Sequence, residues 1–99
     1  MARDRLDDKS LGEAMAKLDG WQIADDGKSI SRKFKFRDFS EAFAFMARAA
    51  LAAEVLDHHP NWSNVYNRVD VTLFTHDRDG VTELDIELAG RMNGFAAKH

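Results

Sequence analysis

An alanine-rich segment from about Phe39 to Leu56 constrains the fold more than any other part of the chain. Apolar residues recur in it at helical spacing, and alanine has the highest intrinsic helix propensity. The segment must end before Pro60, the single proline, because the residue before a proline is pushed out of the α region. The sequence therefore predicts a long helix, with an expected buried stripe of Phe39, Phe43, Met46, Ala50 and Ala53.

Three short sequences have the pattern of a capping box, which marks the start of a helix. In a capping box a short polar side chain binds the backbone N–H three residues on, while an acid at that position reaches back. The three are Ser10-Leu-Gly-Glu13, Asp38-Phe-Ser-Glu41 and Thr82-Glu-Leu-Asp85. They predict three helices. The first ends near Leu18, before Gly20; the second is the long helix; and the last runs from about Glu83 to Phe95.

Alternating apolar and polar residues on both sides of the long segment predict two β-hairpins. The first contains Trp21 and Ile23, the turn residues Asp25-Asp26-Gly27, and a strand from Ile30 to Phe36 whose apolar side Arg32 interrupts. The second joins Trp62–Tyr66 to Val69–His76 through Asn67-Arg68, with Val69, Val71 and Leu73 pointing to one side.

The order of these elements, α-β-β-α-β-β-α, is typical of an α+β domain. We expect residues 1–99 to form one domain, in which a four-stranded antiparallel sheet carries three helices packed on one face. The other face of such a sheet is partly polar, and one strand edge remains exposed. Because proteins often cover an exposed edge with another subunit, the fold also predicts a homo-oligomer.

Composition excludes several classes of function. The net charge of −3 argues against a dedicated nucleic-acid-binding protein, and the absence of cysteine excludes disulfides, thiolate catalysis and cysteine-based zinc sites. The apolar runs are too short to cross a bilayer. Acidic residues follow the start Met1–Arg5 where a secretory signal has an apolar segment, so we expect a cytoplasmic protein that contacts no membrane.

Three of the four histidines lie where a site for proton transfer could form. His58 and His59 follow the long helix, and His76 ends the last predicted strand. If the chain bends at Pro60, the three imidazoles can converge on one small polar pocket. Histidine is the side chain best suited to proton transfer near neutral pH, and Glu54, one helical turn before His58, can orient its ring.

Less specific explanations exist for each of these residues. A His-His pair is often a solvated loop, and Asp85 and Asp57 can simply cap or brace helix ends. Trp62 is more often a core or edge aromatic than a platform for a ligand, and the terminal His99 has no expected role. Three histidines could also bind zinc, but no His-x-His or His-x-x-x-His pair supports a metal site.

The central region is similar to the pterin-4a-carbinolamine dehydratases. The resemblance covers about Phe36 to Leu88 closely and the whole chain loosely, through the order of its elements. It rests on a long gapless motif, which reads Glu54-x-x-x-His58-His59-Pro60-x-Trp62-x-Asn64-Val65-Tyr66-Asn67-x-Val69, then Leu73-x-Thr75-His76 and Gly80-x-Thr82-x-x-Asp85.

The resemblance implies an activity and a set of site residues. Members of that family dehydrate 4a-hydroxytetrahydrobiopterin to quinonoid dihydrobiopterin, which recycles the cofactor of aromatic amino acid hydroxylases. By resemblance, His58, His59 and His76 match the catalytic histidines, with Glu54 and Asp85 as the associated acids. We also expect substrate contacts from a second group, which consists of Trp62, Asp57, Asp85 and Thr75.

The reaction requires neither a metal nor a bound cofactor, so we expect none. The expected partners are the pterin itself, a second copy or three further copies of the chain, and an aromatic amino acid hydroxylase. The resemblance leaves one alternative open, because animal members also act as a dimerisation cofactor of a transcription factor. The alternative is a non-catalytic binding or assembly protein on the same scaffold.

Overall fold

The computed structural model of the protein describes residues 4–97. Two sequence predictions, on the start Met1–Arg5 and on the terminal His99, fall partly or wholly outside the described residues. Residues 4–97 form three α-helices and four strands in the predicted order, together with one short 3₁₀ helix that begins at His76, where the last strand was predicted to end. The helices are α1 (Asp8–Met15), α2 (Phe39–Leu56) and α3 (Glu83–Ala96), and the 3₁₀ helix is His76–Arg78. The strands are β1 (Gln22–Ile23), β2 (Ile30–Lys35), β3 (Asn61–Val65) and β4 (Arg68–Leu73).

The four strands form one antiparallel sheet in the order β1-β2-β4-β3, which confirms the predicted α+β fold. Strand β4 lies between β2 and β3, so β1 and β3 are the edge strands. Directly paired residues share a face of the sheet. Val71 pairs with Arg32 and Trp62 on one face, and Asp70 pairs with Lys33 and Ser63 on the other.

The core lies between the sheet and the helices. Val69, Val71 and Leu73 are buried on the same side of β4, as the alternating pattern predicted. Phe34 of β2 and Phe36, which directly follows β2, reach the helix layer, where their rings lie 4.6 and 5.0 Å from that of Phe45. These contacts place the aromatic part of the core at the start of α2.

Helix α2 has the predicted boundaries, but its predicted buried stripe is wrong at Phe39, Phe43 and Ala50, while Ala53 is buried as predicted. The side chain of Asp38 accepts from the N–H of Glu41 at 2.9 Å and caps the helix. The helix is apolar on almost every side, so its 3.6-residue period could not identify the face that meets the sheet. Phe39 and Phe43 are exposed, and the buried residues are Ala42, Phe45, Ala49, Ala52 and Ala53.

Two local predictions were displaced along the chain. Helix α1 is capped by Asp7 instead of Ser10, since the Asp7 carboxylate accepts from the N–H of Ser10 at 2.7 Å. The second hairpin turns at Tyr66-Asn67, one residue earlier than predicted, with Tyr66 in the left-handed region at φ 52°. The capping box of Thr82 at the start of α3 is present as predicted.

Arg32 is a cation among the apolar side chains of β2, and its contacts account for this position. Its guanidinium lies over the ring of Phe34, 4.4 Å from the centroid. The same group donates to the carbonyl of Asp19 at 3.0 Å and to the side chain of Asn93 at 2.6 Å. Helix α3 is therefore tied to the loop before β1 by a hydrogen-bonded cation.

Candidate active site

The chain reverses direction at the end of α2, immediately before the histidine pair. Asp57 adopts the left-handed conformation at φ 50°, and the N–H of His58 donates back to the carbonyl of Ala53 at 3.0 Å. This is a frequent way to end a helix. The bend that the histidines require therefore occurs at Asp57, three residues before Pro60.

The three histidines line one depression at the end of α2, which we call the histidine depression. Its volume is about 480 Å³. Residues from the α2–β3 connection form one wall, and residues that follow β4 form the other. Its lining consists of Asp57, His58, His59, Asn61, Phe74 and His76.

His58 is the most tightly held of the three imidazoles. Its side chain is 8% exposed, and its Nε2 atom makes a short hydrogen bond with Oδ1 of Asp85. Asp85 is completely buried at the start of α3. A carboxylate bound to one ring nitrogen orients the imidazole and keeps the proton on that nitrogen. His58 also belongs to the lining of the depression.

The carboxylate of Asp85 is fixed by further hydrogen bonds. Its Oδ2 atom accepts from the Oγ1 of Thr75 and from the N–H of Thr82, both at 2.9 Å. The Oγ1 atoms of Thr75 and Thr82 lie 2.8 Å apart. The N-terminus of α3 also favours a negative charge at this position. These contacts fix the Asp85 carboxylate in a water-excluded site and leave it little freedom to move.

His59 and His76 are more accessible than His58. The His59 ring is 57% exposed, and its Nε2 atom lies 3.2 Å from Oε1 of Glu54. We predicted that Glu54 orients His58, but its partner is His59 and Asp85 is the partner of His58. His76 is exposed at the start of the 3₁₀ helix. Two exposed rings and one anchored ring therefore meet at the same surface.

The remaining predicted site residues lie behind the depression or at its rim. Trp62 is half-buried on the helix-covered face of the sheet and packs against the core. Thr75 is buried beside Asp85, and Asp57 contributes to the rim. Sequence reasoning missed Asn61, Phe74 and Thr82 as site residues. Asn61 could have been found next to Pro60 in the motif, whereas Thr82 had been explained entirely as a helix cap.

The described part of the chain offers no ready-made metal centre. Within residues 4–97, no group of three or more histidine, cysteine, aspartate or glutamate side chains is arranged to hold a metal ion. Among the same residues, no helix is long and apolar enough to cross a membrane.

The groups of the depression can donate and accept protons, since neutral imidazole carries one N–H donor and one acceptor nitrogen.

Comparisons with known proteins show which family this chain is similar to. The sequence profile of the family described as "Pterin 4 alpha carbinolamine dehydratase" matches residues 4–95. Proteins of Brucella ovis and Brucella melitensis biotype 1, both provisionally named pterin-4-alpha-carbinolamine dehydratases, are 62% identical over 96 residues. The match covers 97% of this chain and 99% of each relative.

A crystal structure from Brucella melitensis, described as a transcriptional coactivator/pterin dehydratase, has the same fold. It is 60% identical, with a TM-score of 0.91, and the match covers 94% of this chain and 99% of that one. Sequence and fold therefore agree over almost the whole length. The chain belongs to the pterin-4a-carbinolamine dehydratase family.

Proposed function

We propose that the protein is a lyase that dehydrates 4a-hydroxytetrahydrobiopterin to quinonoid dihydrobiopterin and water. The observation that carries the proposal is the histidine depression, where His58, His59 and His76 line one surface. Membership of the family supports the pterin substrate. The same chemistry would recycle the cofactor of aromatic amino acid hydroxylases.

The reaction suits imidazoles that differ in exposure. The substrate carbon C4a carries a hydroxyl group and is bonded to the ring nitrogen N5. Loss of water breaks the C4a–O bond, forms a C=N bond, and requires one proton on the departing oxygen and the removal of one proton from N5. Histidines can perform both transfers near neutral pH, and each positioned acid or base contributes roughly 10²–10⁴-fold.

We assign the acid to His58 or His76 and the base to His59. The hydrogen bond with the Asp85 carboxylate orients the His58 ring, so this imidazole is held in position to pass a proton to the substrate. His59 is exposed and contacts Glu54, which orients its ring. The iminium-like cation that forms as water leaves is favoured electrostatically by nearby carboxylates, among which Asp57 lies at the rim.

Dehydration of a pterin carbinolamine made in the assay tests this proposal directly. A phenylalanine hydroxylase would generate the unstable substrate in place, and its disappearance would be followed by ultraviolet absorbance with and without the purified protein. We expect the protein to accelerate dehydration in proportion to its concentration. A rate equal to the spontaneous one would refute the enzymatic function.

A second candidate function is assembly with another protein. It is favoured by an exposed apolar stripe along α2 and by the description of the Brucella melitensis structure as a coactivator. The stripe consists of Phe39, Phe43, Leu51 and Val55. An assembly protein would keep its partner binding when the histidines are replaced, whereas the dehydratase would lose its activity.

We also propose a cytoplasmic homo-oligomer, either a dimer or a tetramer. The proposal is supported by the same stripe on α2 and by the edge strand β3, which ends next to the exposed side chains of Val65 and Tyr66. A transient contact with an aromatic amino acid hydroxylase would deliver the carbinolamine before it dehydrates spontaneously or rearranges.

A further inference from the structure

A second depression lies directly beyond His76, and we call it the loop depression. Its volume is about 280 Å³. It shares Phe74 and His76 with the histidine depression, so these two side chains stand between the two spaces. The remaining lining comes from two loops and consists of Asp26, Lys28, Ser29, Asp79 and Gly80.

The two loops around this depression have defined conformations. In the β1–β2 loop, the N–H of Ala24 donates to the carbonyl of Ser29 at 2.9 Å, and the N–H of Lys28 donates to the carboxylate of Asp26 at 2.9 Å. In the loop after β4, Thr75 and Gly80 form a β-bridge around the 3₁₀ helix. The depression is therefore formed by backbone that is already hydrogen-bonded.

An ion pair joins the two loops across the depression. The Nζ atom of Lys28 lies 3.1 Å from Oδ2 of Asp79, and the two side chains are 46% and 74% exposed. An exposed pair of this kind contributes little to stability. The ammonium group carries three donors, so Lys28 can bind Asp79 and still donate to a ligand. Asp26 and Asp79 supply acceptors beside it.

The substrate's covalent structure determines which part of it can reach this space. In a pterin, the carbon C6 is bonded to N5, and N5 is bonded to the reacting carbon C4a. A pose that brings C4a and N5 to the histidines therefore brings the substituent on C6 to the same imidazoles. His76 lies at the boundary of the two depressions. A short chain on C6 can pass this boundary, whereas the far pyrimidine ring must remain on the other side.

We propose that the loop depression binds the hydroxyl-bearing substituent at C6 of the pterin, with Lys28 and Ser29 as specificity-determining residues. The inference rests on the proposed dehydratase function. The hydroxyl groups of the substituent would accept from the ammonium of Lys28 and donate to the carboxylates of Asp26 or Asp79. Hydrogen bonds to charged groups are the stronger kind, so they can separate a hydroxylated chain from an unsubstituted methyl group.

Two substrates that differ at C6 test the proposal. The 4a-carbinolamines of tetrahydrobiopterin and of 6-methyltetrahydropterin would be generated by the hydroxylase, and kcat/KM would be measured for each. The variants are Lys28→Met, which removes the donor but keeps the length, and Ser29→Leu, which narrows the depression. Lys17→Met is the matched control, because Lys17 is an exposed lysine of the α1–β1 connection.

We expect Lys28→Met to lower kcat/KM for the biopterin substrate about tenfold, the effect of one lost hydrogen bond to a charged group. The same variant should leave the 6-methyl substrate within about twofold of wild type. Ser29→Leu should also affect the biopterin substrate selectively, and Lys17→Met should change neither value. Circular dichroism of each variant confirms that the fold is retained.

Several results would overturn this inference. Equal losses for both substrates would mean that Lys28 only positions the loop of His76 through Asp79. Unchanged values for both substrates would mean that the C6 substituent extends into solvent. If the wild-type protein dehydrates neither pterin, the proposed function itself fails, and this inference fails with it. If the wild-type protein is active but the variants do not separate the two substrates, only this inference fails.

Discussion

The imidazole of His58 is held by a carboxylate that lies 27 residues further along the chain. Asp85 is completely buried and accepts from Thr75 and from the N–H of Thr82 as well. Because Thr82 is the N-cap of α3, the start of this helix fixes the Asp85 carboxylate. The carboxylate in turn orients the ring of His58. A residue that the sequence explains as a helix cap therefore also positions a candidate catalytic histidine.

The first prediction concerns Asp85. Replacement by asparagine keeps the volume but removes the carboxylate that orients the ring of His58. We expect Asp85→Asn to lower kcat for dehydration by roughly 10²–10⁴-fold. Stopped-flow absorbance measures the rate, and the exposed Asp77 of the 3₁₀ helix provides the matched control Asp77→Asn. A folded Asp85→Asn protein with wild-type kcat would show that His58 needs no carboxylate.

The second prediction separates Glu54 from Asp85. Glu54 is 76% exposed, and its contact with His59 is screened by water. Because an exposed side-chain contact of this kind contributes about 0–1 kcal/mol, we expect Glu54→Gln to lower kcat less than about fivefold. The control is Glu13→Gln, at an exposed position on α1. A loss as large as that of Asp85→Asn would assign Glu54 a direct part in proton transfer.

At the residue scale, the sequence predicted that three histidines share one pocket, but it did not predict all of the contacts that hold them. His58, His59 and His76 were recognisable from residue type, position and resemblance. Glu54 was matched with His58 because i,i+4 pairs are neighbours on a helix, but the helix ends before that pair can form. Asp85 lies on another element, so the resemblance named it as an associated acid, whereas local spacing carries no information about its contact with His58.

Helix ends are the clearest features at the scale of the elements. The boundaries of α2 followed from Asp38 and Pro60, because a cap and a proline act locally on the backbone. The buried face of α2 did not follow, since Phe39, Phe43 and Phe45 are equally apolar and only the sheet selects among them. The start of α1 was ambiguous because Asp7 and Ser10 are both good caps.

The third prediction concerns the cap of α1. Hydrogen bonds from the backbone and side chain of Ser10 lower the pKa of Asp7 below its usual value. Its folded pKa lies below its unfolded pKa of about 3.9, so the carboxylate stabilises the fold above pH 3.9 and this stabilisation is lost as pH falls through the folded pKa. We expect Asp7→Ala to lower the Tm at pH 7, with a smaller difference from wild type near pH 3.

Thermal unfolding followed by circular dichroism at both pH values measures this effect. Asp7→Asn is the control, because asparagine is also a good N-cap but does not titrate. Its Tm difference from Asp7→Ala should change little between the two pH values. An Asp7→Ala difference from wild type that is the same at both pH values would contradict the role of the ionised carboxylate.

On the scale of the whole molecule, the surface has two features that a monomer does not explain. Strand β3 is an edge of the sheet, and α2 exposes four large apolar side chains, of which Leu51 and Val55 are 70% and 77% exposed. Contiguous apolar surface of this kind usually marks an interaction site. The sequence predicted an exposed strand edge, but it placed part of the apolar stripe in the core.

The fourth prediction tests whether the stripe holds copies of the chain together. Charges at Leu51 and Val55, the C-terminal half of the stripe, would be buried without partners in an interface, which is strongly unfavourable. We expect the double variant Leu51→Glu/Val55→Glu to have a lower molecular mass than wild type in light scattering after size exclusion. Ala16→Glu, which adds charge at an exposed position next to α1, should keep the wild-type mass. An unchanged mass in the double variant would place the contact elsewhere.

The depression that His58, His59 and His76 share is the feature on which the proposed chemistry depends. The most direct test measures dehydration of the pterin carbinolamine by the three single alanine variants at equal protein concentration. We predict that each variant stays folded and that the catalysed rate falls by about 10²-fold or more for at least two of them. Three variants that all retain the wild-type rate would contradict acid–base catalysis by these imidazoles.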